Sequence, residues 1–242
     1  MKVELFIPCF IDQIYPETAF NTIKLLQKAG CEVMYNPKQT CCGQPAYNAG
    51  FWDEAKQIGL KFLNDFSEDC YIVSPSASCT GMIKNGYDDL FTNSTEHNRC
   101  RNIQGNSYEL SDFLVNVLKK DYFGAELVGT AVYHDSCAAL RECKIKDEPR
   151  QLLQHVGGLE IVPMRDQETC CGFGGTFAVK FEGISAAMAE QKVQNALDVK
   201  ADYIISTDSS CLMQLQAYID KHELPIQTKH LADVLTSGWA NI

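Results

Sequence analysis

The sequence of 242 residues has few basic side chains, and this shortage excludes two kinds of partner. Lysine and arginine total 21 against 31 aspartates and glutamates, a formal net charge of −10, and no basic cluster exceeds the pair Lys119-Lys120. Proteins that bind a phosphate backbone usually present a basic face, so we expect no nucleic-acid partner. Docking to an anionic membrane surface by charge is disfavoured for the same reason.

The sequence also lacks a long apolar run. No stretch approaches the ~20 residues of a membrane span. Residues 1–8 are too short and too interrupted for a secretory signal. We therefore expect a cytoplasmic protein with no membrane insertion.

Cysteine, in contrast, is abundant, with twelve copies, and eight of them form a repeat. The tetrapeptide Thr-Cys-Cys-Gly occurs at residues 40–43 and 169–172, and each copy has one cysteine upstream and one downstream. The upstream and downstream intervals are 31 and 36 residues in the first set, and 32 and 39 in the second. Such a repeat of ligand-type residues predicts two copies of one binding unit. Quartet one is Cys9, Cys41, Cys42 and Cys79, and quartet two is Cys137, Cys170, Cys171 and Cys211.

Four thiolates favour soft metals, and the spacing of the cysteines in sequence discriminates only partly between zinc and an iron-sulfur cluster. Thiolates select zinc or iron-sulfur clusters over magnesium or calcium. Structural zinc sites usually draw on cysteine pairs two to four residues apart, which the quartets lack. Adjacent cysteines in a strand would point to opposite faces, so both Cys-Cys pairs should lie in turns, for which Gly43 and Gly172 supply the permissive backbone. A set of buried cysteines without ligand, and dithiol chemistry at the adjacent pair, remain alternatives.

The hydrophobic pattern predicts an α/β fold with two tandem Rossmann-like domains and mainly parallel sheets, related by internal duplication. Short apolar runs alternate with amphipathic stretches, which is typical of parallel strands joined by helices. Each quartet cysteine lies near a predicted strand end, where the crevice of such a sheet binds ligands. The predicted domains are residues 1–124 and 125–242. The predicted strands are residues 3–7, 32–35, 71–74, 130–134, 160–163 and 203–206.

Other residues receive weaker interpretations. We expect Cys31 and Cys70 to act as small core residues, and Cys143 is the stray cysteine nearest to a quartet in sequence. His134 and Asp135 lie between a strand end and Cys137, where the histidine could donate to a cluster sulfur and tune its potential. The polar segment 88–107 is predicted to be a surface excursion.

The motifs resemble a known family. Phe6-Ile7-Pro8-Cys9, Tyr133-His134-Asp135-Ser136-Cys137 and residues 170–177, Cys-Cys-Gly-Phe-Gly-Gly-Thr-Phe, are similar to the cysteine-rich CCG domain. That domain occurs twice in one of the subunits of heterodisulfide reductase and in the iron-sulfur subunit of glycolate oxidase. Over its whole length the chain resembles most the lactate-utilisation protein A family, which consists of two such domains.

The resemblance implies a role in oxidising lactate to pyruvate. It implies one or two [4Fe-4S] clusters held by the quartets, a ferredoxin-like iron-sulfur subunit as partner, and a third subunit. No Gly-x-Gly-x-x-Gly fingerprint follows either first strand, so we expect a non-flavin electron-transfer subunit that does not oxidise lactate alone.

One departure from the heterodisulfide reductase pattern concerns the number of cysteines in each unit, and so the type of cluster that the resemblance implies. There the downstream element is Cys-x-x-Cys, whereas this chain has Ser76 and Asp208 at the additional position. Each unit therefore has four cysteines, and a five-cysteine noncubane cluster would need an additional cysteine from outside the quartets, such as Cys143. The alternative function is a zinc-binding or thiol/disulfide-active protein of the heterodisulfide reductase type.

Overall fold

Each half of the chain forms one four-stranded parallel sheet in the computed structural model, which describes residues 1–239. The first sheet has the order β2-β1-β3-β4, and the second has the matching order β6-β5-β7-β8. The strands of the first sheet are β1 Lys2–Leu5, β2 Glu32–Tyr35, β3 Tyr71–Ser74 and β4 Ser107–Glu109. Those of the second are β5 Glu126–Tyr133, β6 Gly157–Ile161, β7 Tyr203–Ser206 and β8 Gln227–His230.

Helices connect the strands in both halves. The first half contains α1 Cys9–Ile14, α2 Pro16–Lys28, α3 Gln44–Asn48, α4 Trp52–Asp65, α5 Ala77–Gly81, α6 Tyr87–Phe91, α7 His97–Asn106 and α8 Leu110–Asp112. The second contains α9 Asp147–Leu153, α10 Thr176–Lys180, α11 Glu182–Asp198, α12 Ser209–Lys221 and α13 Leu231–Val234. π-Helical turns occupy Met82–Gly86, Phe113–Val117 and Ala138–Cys143.

Successive side chains of a strand point to opposite faces of the sheet and pack in two different cores. In β3, Ile72 packs in a cluster formed by the first half alone, whereas the next residue, Val73, joins a cluster that contains residues of both halves. In β7, Ile204 and Ile205 divide in the same way between a cluster of the second half and the shared cluster. Each sheet therefore has an outer core of its own and an inner core that it shares with the other half.

The two halves meet through equivalent elements. Helix α13, at the end of the second half, packs on α2, and α8, at the end of the first, packs on α9. The carboxylate of Asp233 accepts hydrogen bonds from Thr18 (2.8 Å) and Asn21 (2.9 Å) at the first of these contacts. The interface thus repeats the duplication seen in the sequence.

The predicted α/β class and the duplicated, parallel-sheet architecture are confirmed. Strands β2, β3 and β7 have the predicted bounds. The strands predicted at 3–7, 130–134 and 160–163 have different bounds, Lys2–Leu5, Glu126–Tyr133 and Gly157–Ile161. Two further features differ from expectation. The edge strands β4 and β8 were not predicted, and the segment 88–107 is not simply a surface excursion, because α7 buries Cys100 and Ile103 in the outer core.

Candidate metal centres

Quartet one lies at the carboxyl ends of β1 and β3. Cys9 is the first residue of α1, directly after the chain leaves β1, and Cys79 lies in the first turn of α5, just beyond β3. Cys41 and Cys42 lie in the loop between β2 and α3. Short loops at the carboxyl end of a parallel sheet thus bring together cysteines that are up to 70 positions apart in sequence.

The four sulfurs of quartet one form a continuous series of contacts. The sulfur atoms of Cys9 and Cys41 are 3.9 Å apart. Hydrogen bonds from Cys42 and Cys9 lower the pKa of Cys41 to about 3. The pKa of Cys42 is raised well above its usual range by its hydrogen bonds to Cys41 and Cys79 and by burial. One thiolate is therefore stabilised among protonated neighbours, and a bound metal would displace those protons.

Quartet two repeats this arrangement. Hydrogen bonds from Cys137 and Cys171 lower the pKa of Cys170 to about 2. Cys171 is hydrogen-bonded to both Cys170 and Cys211, and these hydrogen bonds together with burial raise its pKa. For Cys211 the hydrogen bond with Cys171 lowers the pKa, but burial and the charges of Asp208 and Cys170 together outweigh it, so the pKa is raised. The series Cys137-Cys170-Cys171-Cys211 matches Cys9-Cys41-Cys42-Cys79 member for member.

A glycine turn after each cysteine pair shapes the site. Gly43 and Gly172 have φ of +87° and +93°, a left-handed conformation that L side chains rarely adopt. Their backbone N–H groups donate to the sulfur two residues earlier, Gly43 to Cys41 (3.3 Å) and Gly172 to Cys170 (3.4 Å). Each cysteine pair thus leads into a turn, as the sequence predicts.

The two glycines differ in the space around them, which gives a matched pair of variants. A Cβ added at Gly172 would lie 2.5 Å from the carbonyl oxygen of Ser185 in α11, whereas at Gly43 the equivalent distance, to Ala55, is 3.3 Å. We expect Gly172→Ala to lower the free energy of unfolding by about 2–3 kcal/mol and Gly43→Ala by about 1–2 kcal/mol, the smaller value being backbone strain alone. Denaturant unfolding under anaerobic conditions measures both. Equal losses would show that strain, and not the contact with α11, sets the effect.

His134 is buried beside quartet two. Its side chain is inaccessible to solvent, and neither ring nitrogen meets hydrogen-bond geometry with any described residue. One ring nitrogen and the sulfurs of Cys171 and Cys211 all lie within 4.8 Å of one another. Burial, followed by the charge of Lys192, lowers the pKa of His134 to about 3, so the imidazole is neutral. Of the two residues that the sequence places before Cys137, His134 is the one that faces the sulfurs.

Asp135 is engaged elsewhere. Its carboxylate, 1% exposed, forms a bidentate pair with the guanidinium of Arg150 at 2.8 and 2.6 Å. The hydrogen bond to Asp135 accordingly raises the pKa of Arg150. The pair fixes the loop between β5 and Cys137 to helix α9.

Lys192 is a site residue that the sequence did not reveal. It lies on the buried face of α11, 1% exposed, and its ammonium group donates to the carbonyl oxygen of Asp166. Burial lowers its pKa, while the neighbouring Cys171 acts in the opposite direction. The one available signal was a lysine inside the apolar stripe formed by Ala189, Val193 and Ala196.

The four remaining cysteines stay outside the quartets. Cys31 and Cys100 are buried in the core clusters, and Cys70 is partly exposed. The Cys143 thiol donates to the carbonyl oxygen of Ala77, 3.4 Å away, at the contact between the Ala138–Cys143 turn and α5. The quartets therefore remain the two candidate sites, each with four thiols.

The donor set fits a thiolate-bound metal centre. Each quartet offers four adjacent sulfur atoms, two of them buried and two partly buried, together with a backbone N–H directed at one sulfur. Cys79 and Cys211 lie in the first turn of α5 and α12, and Ser76 caps α5 by accepting from the Cys79 N–H (3.4 Å).

Comparison with known proteins identifies the family. A model of the cysteine-rich domain CCG matches residues 3–84 and again 131–216. Lactate utilization protein A of Geobacillus thermodenitrificans is 43% identical over 236 residues, which cover 97% of this chain and 98% of that protein. The Geobacillus kaustophilus protein of the same name is 42% identical, with 98% and 99% coverage. This chain belongs to the lactate utilization protein A family.

Other similarities are more distant. Lactate utilization protein A 2 of Bacillus cereus is 39% identical over 98% of this chain and 99% of that protein. A crystal structure of a hypothetical protein from Helicobacter pylori superposes with a TM-score of 0.57 at 11% identity, covering 99% of this chain and 49% of that one, which shows the shared fold. Within residues 1–239, this member of the lactate utilization protein A family has no helix with the length and apolar character needed to cross a membrane.

Proposed function

We propose that this chain is the iron-sulfur electron-transfer subunit of a complex that oxidises L-lactate to pyruvate. The observation that carries the proposal is the presence of two four-thiol groups at matching positions of two like sheets, each with its sulfurs in contact. The relatives named for lactate utilization support the metabolic assignment. The chain itself supplies sulfur ligands and a protein environment that sets the redox potential.

The quartets would hold one or two [4Fe-4S] clusters. Such a cluster, when bound by four cysteine thiolates, accepts and releases one electron at a time. Buried sulfurs, the N–H groups of Gly43 and Gly172 and the surrounding helices would limit water access and stabilise negative charge on the sulfurs. Extraction of electrons from a hydroxy acid would take place on a cofactor of another subunit.

Partner subunits need a surface close to the quartets. Three large apolar side chains are exposed in the segment that follows Cys171: Val179 (85%), Phe181 (53%) and Ile184 (58%). Exposed apolar patches of this kind are typical of protein contacts. We propose that the ferredoxin-like iron-sulfur subunit and the third subunit assemble with this chain, and that one of them covers this segment.

Anaerobic purification followed by metal and sulfide analysis tests the assignment. We expect a brown protein with visible absorption that bleaches on reduction, and about four iron and four acid-labile sulfide per occupied quartet. Zinc without acid-labile sulfide would overturn the proposal in favour of a zinc-stabilised scaffold. Direct oxidation of the reduced protein by a disulfide substrate would instead indicate thiol/disulfide chemistry.

A further inference from the structure

The surroundings of the two quartets differ at two equivalent positions. The N–H of Phe6 donates to Val73 (2.9 Å) where β1 ends, and the N–H of His134 donates to Ile205 (2.8 Å) where β5 ends. Phe6 of the first half is therefore replaced by His134 in the second. Because the two strands occupy the same place in their sheets, both side chains extend from the same point toward a quartet.

The helix that packs behind each quartet shows the second replacement. A Cβ at Gly43 would contact Ala55 and Ile58, and a Cβ at Gly172 would contact Ser185 and Met188. Helices α4 and α11 are therefore in register. Four residues beyond Ile58 is Phe62, and four beyond Met188 is Lys192. In the first half Phe62 packs edge-on against Phe6, with ring centroids 4.9 Å apart. An aromatic pair beside quartet one thus becomes a histidine and a lysine beside quartet two.

A buried imidazole with no partner requires an explanation. Leaving such a group unpaired in the interior costs about 1–3 kcal/mol. Lys192 does not satisfy it, because its ammonium group donates to the carbonyl oxygen of Asp166 and neither ring nitrogen of His134 has hydrogen-bond geometry with it. The metal-ligating atoms that the ring approaches are the sulfurs of Cys171 and Cys211.

We propose that His134 binds the centre in quartet two through a ring nitrogen in place of one of the four thiolates, which makes that centre a mixed imidazole-thiolate site, while quartet one is bound by its four thiolates alone. This inference rests on the proposed iron-sulfur function. The Gln167 carbonyl oxygen, which accepts the Asp135 N–H (3.2 Å), also lies close enough to act on the ring as an acceptor. A metal-bound histidine commonly donates its other N–H to such a carbonyl.

A histidine ligand at quartet two would give the two centres different reduction potentials. Neutral imidazole ligands raise the potential of an iron-sulfur centre relative to thiolates, and the nearby positive charge of Lys192 acts in the same direction. Quartet two therefore holds the centre of higher potential, and electrons that enter through quartet one pass to quartet two.

Selective isotope labelling tests the ligand directly in the unmodified chain. The sequence has five histidines, and the other buried one, His230, has both ring nitrogens occupied by Pro75 (2.9 Å) and Ala232 (3.1 Å). We expect pulsed EPR of the anaerobically purified, reduced protein, with histidine labelled with ¹⁵N, to show the strong nitrogen coupling of a metal-bound ring. A weak coupling only, or none, would overturn the proposal. ⁵⁷Fe Mössbauer spectra give the same test for a diamagnetic state, because an iron bound by nitrogen has its own quadrupole doublet.

Variants and metal analysis separate this inference from the function on which it depends. His134→Phe, which copies Phe6, should abolish the nitrogen coupling and shift the higher potential to a more negative value. His155→Gln, at a partly exposed histidine beside Asp121, should change neither. If quartet two contains no iron, the proposed function fails there. If it contains iron without nitrogen coupling, the iron-sulfur assignment stands and the ligand assignment alone is wrong.

Discussion

Cys171→Ser is expected to remove the iron and sulfide of quartet two while quartet one stays loaded. Cys171 is 2% exposed and lies in the middle of its series, where its sulfur contacts both Cys170 and Cys211. A serine hydroxyl is a hard and weakly acidic donor that does not replace a thiolate on iron. In a chain that fills both quartets, metal and sulfide per chain should therefore fall to about half, as measured after anaerobic purification.

Two control variants define what this loss means. Cys42→Ser is the equivalent change in quartet one and should remove the other half of the metal. Cys100→Ser alters a cysteine that is equally buried, 2% exposed, but lies on the buried face of α7 and outside both quartets, so the metal content should not change. Equal losses in all three variants would indicate general instability instead of ligand removal.

The fold itself should survive the Cys171 substitution. Cys171 is one of twelve buried members of the outer core of the second half, whose remaining members include Val132, Ile204 and Leu215. A buried serine there costs about 1–3 kcal/mol, and Cys170 and Cys211 remain as possible hydrogen-bond partners. Far-UV circular dichroism close to that of the unmodified protein is the expected result. An unfolded variant would mean that the metal holds the domain together.

The central strands were predictable because they are buried on both faces. Residues 71–74 and 203–206 are short apolar runs without polar interruption, and the structure gives them the same bounds. The edge strands β4 and β8 were not predictable. Ser107–Glu109 has three residues and Gln227–His230 is mostly polar, so neither carries a periodic signal, and both are strands because they pair with β3 and β7.

The candidate site was predictable to a similar degree. The quartet cysteines were identified because their matched spacing in the two halves can be read from the sequence alone. Lys192 was missed because its meaning depends on packing: it becomes a site residue only when α11 lies against quartet two. Asp208 was noted only as the residue that replaces a cysteine, and its contact with the other half crosses 130 positions of sequence.

Asp208 links the two sites across the interface between the halves. It is the N-cap residue of α12, yet its carboxylate forms no cap with that helix. Instead it accepts from the backbone N–H of Ser78 (2.9 Å) and the Ser78 hydroxyl (3.1 Å) at the start of α5, one residue before Cys79. The helix that carries a cysteine of quartet two therefore caps the helix that carries a cysteine of quartet one. Burial raises the pKa of this carboxyl, although hydrogen bonds from Ser210 and Ser78 oppose the shift.

Asp208→Ala is expected to lower the free energy of unfolding by about 3 kcal/mol, because it leaves the partly buried Ser78 N–H without an acceptor at a helix start. Asp208→Asn should stay within about 1 kcal/mol of the unmodified protein. Its amide oxygen can accept the Ser78 N–H, and its amide nitrogen can donate to the hydroxyl oxygens of Ser78 and Ser210, which rotate to suit. Denaturant unfolding measures both variants.

Hydrogen exchange localises the effect of Asp208→Ala to the interface. The Ser78 amide should exchange faster in the alanine variant and remain protected in the asparagine variant, because only the latter retains an acceptor. Ser78→Ala removes the hydroxyl and keeps the backbone N–H bond, so it should have the smallest effect of the three. If Asp208→Asn were as unstable as Asp208→Ala, the negative charge, and not the hydrogen bond, would hold the two halves together.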